Sequence, residues 1–170
     1  MKDIWNFDIY VADGFVLTEF AGIVEVLRLA NRINNAPVFA WTVRSAKGGV
    51  VSASSAVSVD TTPLPSRPDA DYLFVLGNAD PALASLSLGS TIGNYTSRQA
   101  RVVLLSEAAA RYISEHENAL DGHTTHWENR TVLMERLGLF DTKATLAVDR
   151  GAIISAWHHT SADLERQCYR

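Results

Sequence analysis

Cysteine is nearly missing from this chain: Cys168 stands alone, third from the end. A single thiol excludes an internal disulfide, and such sparing use of cysteine points to a reducing compartment, so a cytoplasmic setting is expected. Long hydrophobic runs are missing too. No stretch approaches the roughly 18 consecutive apolar residues of a membrane span, and the opening Met1-Lys2-Asp3-Ile4-Trp5-Asn6 lacks the basic and then apolar order of a secretory signal. Positive charge is in deficit. The net charge is −4, and Arg28, Arg44, Arg67, Arg98, Arg101 and Arg130 are scattered rather than striped. Direct binding to nucleic acid needs clustered Lys and Arg against phosphates, so it is not expected of these residues. Internal repeats, linkers and low-complexity segments are lacking as well.

What remains is an ordinary globular composition of 170 residues, 47% hydrophobic and 20% charged, enough for one domain with its own core. Residues 4–11 read as a first strand, broken at Ala12-Asp13-Gly14. From Thr18 the apolar residues Ile23, Val26, Leu27, Ala30 and Ile33 fall at helical spacing, and Pro37 ends that helix. Residues 39–44 form a second strand, Lys47-Gly48-Gly49 a turn, and 50–52 and 55–59 short strands before Pro63, Pro65 and Pro68 force a loop. The run Asp71-Tyr72-Leu73-Phe74-Val75-Leu76, closed by Gly77, reads as a strand buried on both faces. Residues 81–98 give a weak helix broken by Gly89 and Gly93. Val102 to Leu105 is another buried strand leading straight into a helix from Ser106 to about Glu117. An extended segment at 124–126, a helix at 128–137, strands at 144–148 and 153–155 and a closing helix at 160–169 complete the chain. Strands alternating with helices predict an α/β fold built on a mainly parallel sheet.

Ligands of such sheets bind beyond the carboxyl ends of the strands. Glu19, Gly77 with Asn78, and Ser106 with Glu107 follow three of those ends, and His126 follows a later extended segment. A strand that turns at once into a helix presents its junction residue beside free backbone N–H groups, the logic of a nucleophile elbow. Two readings of Ser106 stay open. It can be a nucleophile with His126 as base and Glu19 as orienter, or it can cap its helix while Glu107 serves as a first-turn acid. Glu107 opposes catalysis, because its charge would stand beside any oxyanion. Trp127 reads as core or pocket wall, and an aromatic face beside acids suits an ammonium group. Trp157 either narrows the pocket or fills space. His123 with His126, and His158 with His159, lack metal-ligand spacing, and no metal or cofactor is expected.

The segments Gly14-Phe15-Val16-Leu17-Thr18-Glu19-Phe20-Ala21-Gly22 with Glu25-Val26-Leu27, Leu120-Asp121-Gly122 with Thr124-Thr125-His126-Trp127, and the run 148–156, joined by Asp163-Leu164, span almost the whole chain. Together they resemble the ThiJ/PfpI-like (class I glutamine amidotransferase-like) sensor domain of AraC-type transcription regulators. The resemblance implies a three-layer, flavodoxin-like sandwich in residues 1–170, with an acid at Glu19 approaching the elbow. It further implies a small-molecule effector, a homodimer, and contact with DNA only through an attached helix-turn-helix module, which this sequence does not contain. Regulators of this kind respond to amino acids, amines and quaternary ammonium compounds. The ligand-binding set expected on this basis is Glu19, Gly77, Asn78, Ser106, Glu107, His126 and Trp127. The departures bear on activity. Enzymes of the superfamily place Cys at the elbow, where this chain has Ser106, or Ala108 if the alignment slips by two, and Trp157 stands where the subgroup usually has Gly. A non-catalytic sensor is therefore expected, with a hydrolase or hydratase using Ser106 and His126 as the alternative.

Overall fold

The computed structural model describes residues 4–78, 86–116, 122–137 and 146–157, without the side chains of 127, 128, 136 and 137. Its strands are β1 (Trp5–Tyr10), β2 (Phe39–Ser45), β3 (Gly49–Ser52), β4 (Ser58–Pro63), β5 (Tyr72–Val75), β6 (Arg101–Leu105), β7 (Ala147–Arg150) and β8 (Ile153–Ala156). Its helices are α1 (Leu17–Asn34), α2 (Leu88–Thr96), α3 (Ser106–Glu115) and α4 (Trp127–Leu137). All eight strands join one sheet in the order β3-β4-β2-β1-β5-β6-β8-β7. Only the pairs β3–β4 and β7–β8, one at each edge, are antiparallel. The parallel centre, β2-β1-β5-β6-β8, is the flavodoxin-like order, and the strand order reverses between β1 and β5.

Two apolar layers cover this sheet. On one face Leu73, Val75, Val102 and Leu104 pack with Leu88, Ile92 and Tyr95 of α2 and Ala108 and Ala109 of α3. On the other, Ile9, Val11 and Phe15 pack with Phe20, Ile23 and Val24 of α1, and Phe74 and Leu105 lie against them. Side chains alternate along a strand, so Leu73 and Val75 serve the first layer while Phe74 serves the second. The three-layer α/β sandwich expected from the sequence is thus present. α1 stops at Asn35, whose φ of 51° takes the left-handed turn that ends helices. Asn31 then fastens the helix to β2 by exchanging two hydrogen bonds with the backbone of Phe39, at 2.7 and 2.8 Å.

Three local expectations are corrected. The strand expected at 55–59 lies at Ser58–Pro63, because residues 53–57 form the turn that returns β3 onto β4. Pro63 is its last residue, beyond the span paired with β3, so its missing N–H interrupts no ladder there. Gly89 and Gly93 do not break α2; both lie inside it, and burial of Leu88, Ile92 and Tyr95 along one stripe outweighs their low helix propensity. Residues 124–126 form no strand; side-chain bonds rather than a ladder hold them. The closing helix expected at 160–169, the pair His158 and His159, and Cys168 lie outside the described residues.

Candidate functional site

β6 ends at Leu105 and α3 begins at the next residue, with no linker between them. The chain makes this turn by placing Ser106 at φ 42°, in the left-handed region that costs a non-glycine residue about 1–3 kcal/mol. Something must hold it there. The Ser106 hydroxyl donates to Glu19 Oε1 in a short hydrogen bond, and Thr125 donates its own hydroxyl to the Ser106 carbonyl. Glu19 comes from the first turn of α1 and is only 4% exposed. Its second oxygen accepts the Gly77 N–H at 2.7 Å. One buried carboxylate therefore ties the ends of β5 and β6 to the start of α1.

Gly77 is required by this crowding. A Cβ there would lie 3.2 Å from the Glu107 nitrogen, from Glu19 Oε2 and from Ser106 Cβ. Asn78 turns away and donates its amide to the Asp13 carbonyl at 2.7 Å, while Val16 N–H donates to the Gly77 carbonyl at 3.1 Å. Gly77 and Asn78 thereby clamp the loop that leads into α1. Glu107 is buried beside them. Arg111 Nε lies 2.9 Å from Glu107 Oε1, but its N–H is not aimed at the oxygen, so charge rather than a directed hydrogen bond joins the pair. Burial pushes the Glu107 carboxyl above its ordinary value, Arg111 opposes that shift, and the nearby Glu19 adds to it.

His126 follows Thr125 directly in the chain. Its ring meets Trp157 edge-on, with centroids 5.3 Å apart at 89°. A serine hydroxyl carries one proton, and that of Ser106 is directed to Glu19 rather than to His126. Nor does Ser106 cap its helix: Leu105 occupies the cap position and no side chain bonds there. The fold instead draws the Ser106 hydroxyl across to α1. Glu107 does lie in the first turn of α3, as expected. The Trp127 side chain lies outside the described residues.

Two features escaped the sequence. The segment 122–126 is a strap: Thr124 N–H donates to the buried Ser155 hydroxyl at 2.8 Å, and His123 Nδ1 shares a 3.2 Å hydrogen bond with the same oxygen. Burial, then the neighbouring Arg150 and His116, push the His123 imidazole below its usual range. The second feature is a cavity of about 310 Å³ on the α1 side of the sheet, walled by Ile23, Leu27, Phe74, Leu105 and Trp157, with Glu19 at its polar end. Its wall residues read as ordinary core in the sequence; only the Trp at 157 signalled anything. Among the described residues, no group of three or more His, Cys, Asp or Glu side chains is placed to hold a metal ion. No described helix is long and apolar enough to cross a membrane.

No family model matches the chain. The HTH-type transcriptional regulator CdhR of Pseudomonas aeruginosa is 31% identical in a 178-residue alignment that takes in 96% of this chain and 48% of the regulator. The chain thus spans about half the length of that curated relative. An AraC family transcriptional regulator from Pseudomonas putida superposes with a TM-score of 0.72 at 21% identity, covering 89% of this chain and 83% of the other. A ThiJ/PfpI family protein from Pseudomonas syringae does so with a TM-score of 0.64 at 16% identity, covering 95% of this chain and 65% of the other. The chain has the ThiJ/PfpI-like fold. In this ThiJ/PfpI-like domain the elbow keeps its strained backbone, and a serine stands at the strained position. Of the two candidates open at the sequence level, Ser106 and not Ala108 stands at the strained turn between β6 and α3.

Proposed function

We propose that the domain is the ligand-sensing and dimerising part of a cytoplasmic AraC-type transcription regulator, that it binds a small nitrogen compound and that it performs no chemistry on it. The compound is an amine, an amino acid or a quaternary ammonium ion, recognised near Glu19, Gly77, Ser106 and His126. A binding-competent dimer arrangement, favoured by the ligand, would set the position of helix-turn-helix modules attached to the domain, and DNA would be met through those modules alone. The regulator half left unmatched in the Pseudomonas aeruginosa relative leaves room for such a module.

The observation that carries the non-catalytic reading is the hydrogen bond from Ser106 to Glu19, made within a cluster where a Cβ at Gly77 would meet three neighbours at 3.2 Å. A nucleophile needs open space before it and oxyanion donors around the point of attack. Here the Gly77 N–H already serves Glu19, and Glu107 adds a second acid. One observation favours the alternative enzyme: a strained serine bonded to a carboxylate is also how a base could hold its nucleophile, with Glu19 in the role given to His126 in the sequence reading. The test is a thermal-shift screen of amines, amino acids and quaternary ammonium compounds run beside an assay for loss of each compound. Stabilisation without consumption is the expected result. Consumption that disappears in Ser106→Ala would establish the enzyme instead.

A further inference from the structure

α1 spends only part of its surface on the core. Phe20, Ile23 and Val24 pack toward the sheet, and Leu27 is buried. About a third of a turn around the helix, Gly22, Val26, Leu29 and Ile33 are all exposed, Val26 at 65% and Ile33 at 82%. Single exposed aliphatic residues are ordinary on a surface, but a stripe of them along one helix is not. The steps from Gly22 to Val26 to Leu29 to Ile33 are four, three and four residues, the repeat by which one helix forms a seam with another. Nothing lies within 4 Å of a Cβ placed at Gly22, so this glycine is not needed to make room inside its own chain.

The polar flank of the stripe carries Glu25 and Arg32, both exposed, and Arg28 braces Glu25 with its Nε at 2.7 Å. Laid antiparallel against a second copy of itself, the stripe closes in every layer. Val26 meets the partner's Leu29, and Leu29 meets the partner's Val26. Ile33, the most exposed of the four, meets the partner's Gly22, where space is open. The same register sets Glu25 opposite the partner's Arg32 and Arg32 opposite the partner's Glu25. Two-fold symmetry makes each of these contacts occur twice. A parallel pair would set Gly22 against Gly22, leave a gap there, and bring neither charge near its opposite. A stripe that only met water would need no such match of size and sign.

We propose that the outer stripe of α1 is a self-association surface, joining two copies of this chain as an antiparallel helix pair held by reciprocal Glu25–Arg32 ion pairs. This gives the dimerising part of the sensing reading a location, and rests on that part alone. Gly22 and Val26 also line the cavity beside α1, so an occupant of that cavity touches residues of the seam and can bias how the two copies pack. The seam is about 17 Å long at 1.5 Å per residue. That is the small end for a specific interface, so the dimer is a dissociable one of micromolar strength.

The test is sedimentation velocity of the purified chain from about 1 μM to about 500 μM, a range that brackets such an affinity. A reversible equilibrium between monomer and dimer is expected. Ile33→Asp, at a site 82% exposed and so without consequence for the fold of one copy, should weaken the dimer about tenfold or more by burying a charge in the seam. Glu25→Arg should weaken it about tenfold by setting like charges opposite each other. Glu25→Arg and Arg32→Glu in the same chain should restore it to within about threefold of the wild type. Far-UV circular dichroism matching the wild type accompanies each variant, so that lost association is not mistaken for lost folding. A chain monomeric throughout the range would overturn the seam and the dimerising reading together. A dimer indifferent to Ile33→Asp would overturn the seam and leave dimerisation standing through another face. Loss in Ile33→Asp with no rescue by the double charge reversal would overturn the antiparallel register. Ligand sensing is read separately, by the thermal-shift screen.

Discussion

At the scale of single residues the site is a set of constraints around one carboxylate, and two of them can be measured. Gly77→Ala forces a methyl into contacts of 3.2 Å with the Glu107 nitrogen, Glu19 and Ser106. All three neighbours are backbone or buried, so the cost should be about 2–3 kcal/mol, the upper part of the range for overpacking, read from urea denaturation. Ser106 carries opposing terms. Ser106→Ala keeps the strained φ of 42° and orphans a buried Glu19 oxygen, costing about 1–3 kcal/mol. Ser106→Gly orphans the same oxygen but relieves the strain. The glycine variant should therefore be the more stable of the two, by about 1 kcal/mol, reversing their usual order in helices. Equal or inverted stabilities would mean that the elbow is not strained. Much at this scale was legible: Glu19, Gly77 and Ser106 each follow a strand end, and strand ends converge in a parallel sheet. The partner of Ser106 was not. Local sequence gives a helix-starting serine a cap to make, and only the tertiary approach of α1 offers it a carboxylate instead.

Among elements, α1, α3 and the strap 122–126 meet at the elbow, and acids buried at such junctions couple stability to pH. Glu107 has its carboxyl raised by burial, so the folded state holds that proton to higher pH than the unfolded chain does. The unfolded chain then binds fewer protons in that window, and stability falls as pH rises from the ordinary value of 4.5 through the raised one. A pH series of melting temperatures should show this decline in the wild type and a flatter course in Glu107→Gln. A second element-level device joins β1, β2 and α2: Asp8, buried in β1, accepts from Arg44 at 2.7 Å and from the Tyr95 hydroxyl at 2.6 Å. Burial first, and then that bond to Asp8, raises the Tyr95 phenol, so it stays protonated and donates. Asp8→Ala leaves the Arg44 charge half-buried without its partner and should cost about 3–5 kcal/mol in equilibrium unfolding. Tyr95→Phe should cost about 1–2 kcal/mol. A charged residue between the aromatic and apolar Phe7 and Ile9 of a central strand is a visible sign of such a pair. Its partners, 36 and 87 residues away in sequence, were not visible, because they meet only once the sheet is assembled. Boundaries were least legible where propensity and burial disagree, as in α2, whose glycines read as breaks until its buried stripe is seen.

For the molecule as a whole, the alternation of buried strands with helices was enough to give the layered parallel sheet, since a strand apolar on both faces must be covered twice. The cavity was hidden for the same reason. Ile23, Leu27, Phe74 and Leu105 have the spacing of core residues, and nothing in one dimension tells a filled core from a vacant one. What the assembled domain offers is a strained elbow held shut by its own acid, beside an apolar space that the same acid faces. The proposed reading takes this strained serine elbow, which carries no thiol, as part of a site that binds without reacting. The most direct measurement follows a ligand that stabilises the purified domain by NMR over many multiples of its residence time. The ligand should be recovered unchanged from the wild type and from Ser106→Ala alike. Conversion of the ligand by the wild type, abolished in Ser106→Ala, would contradict the account.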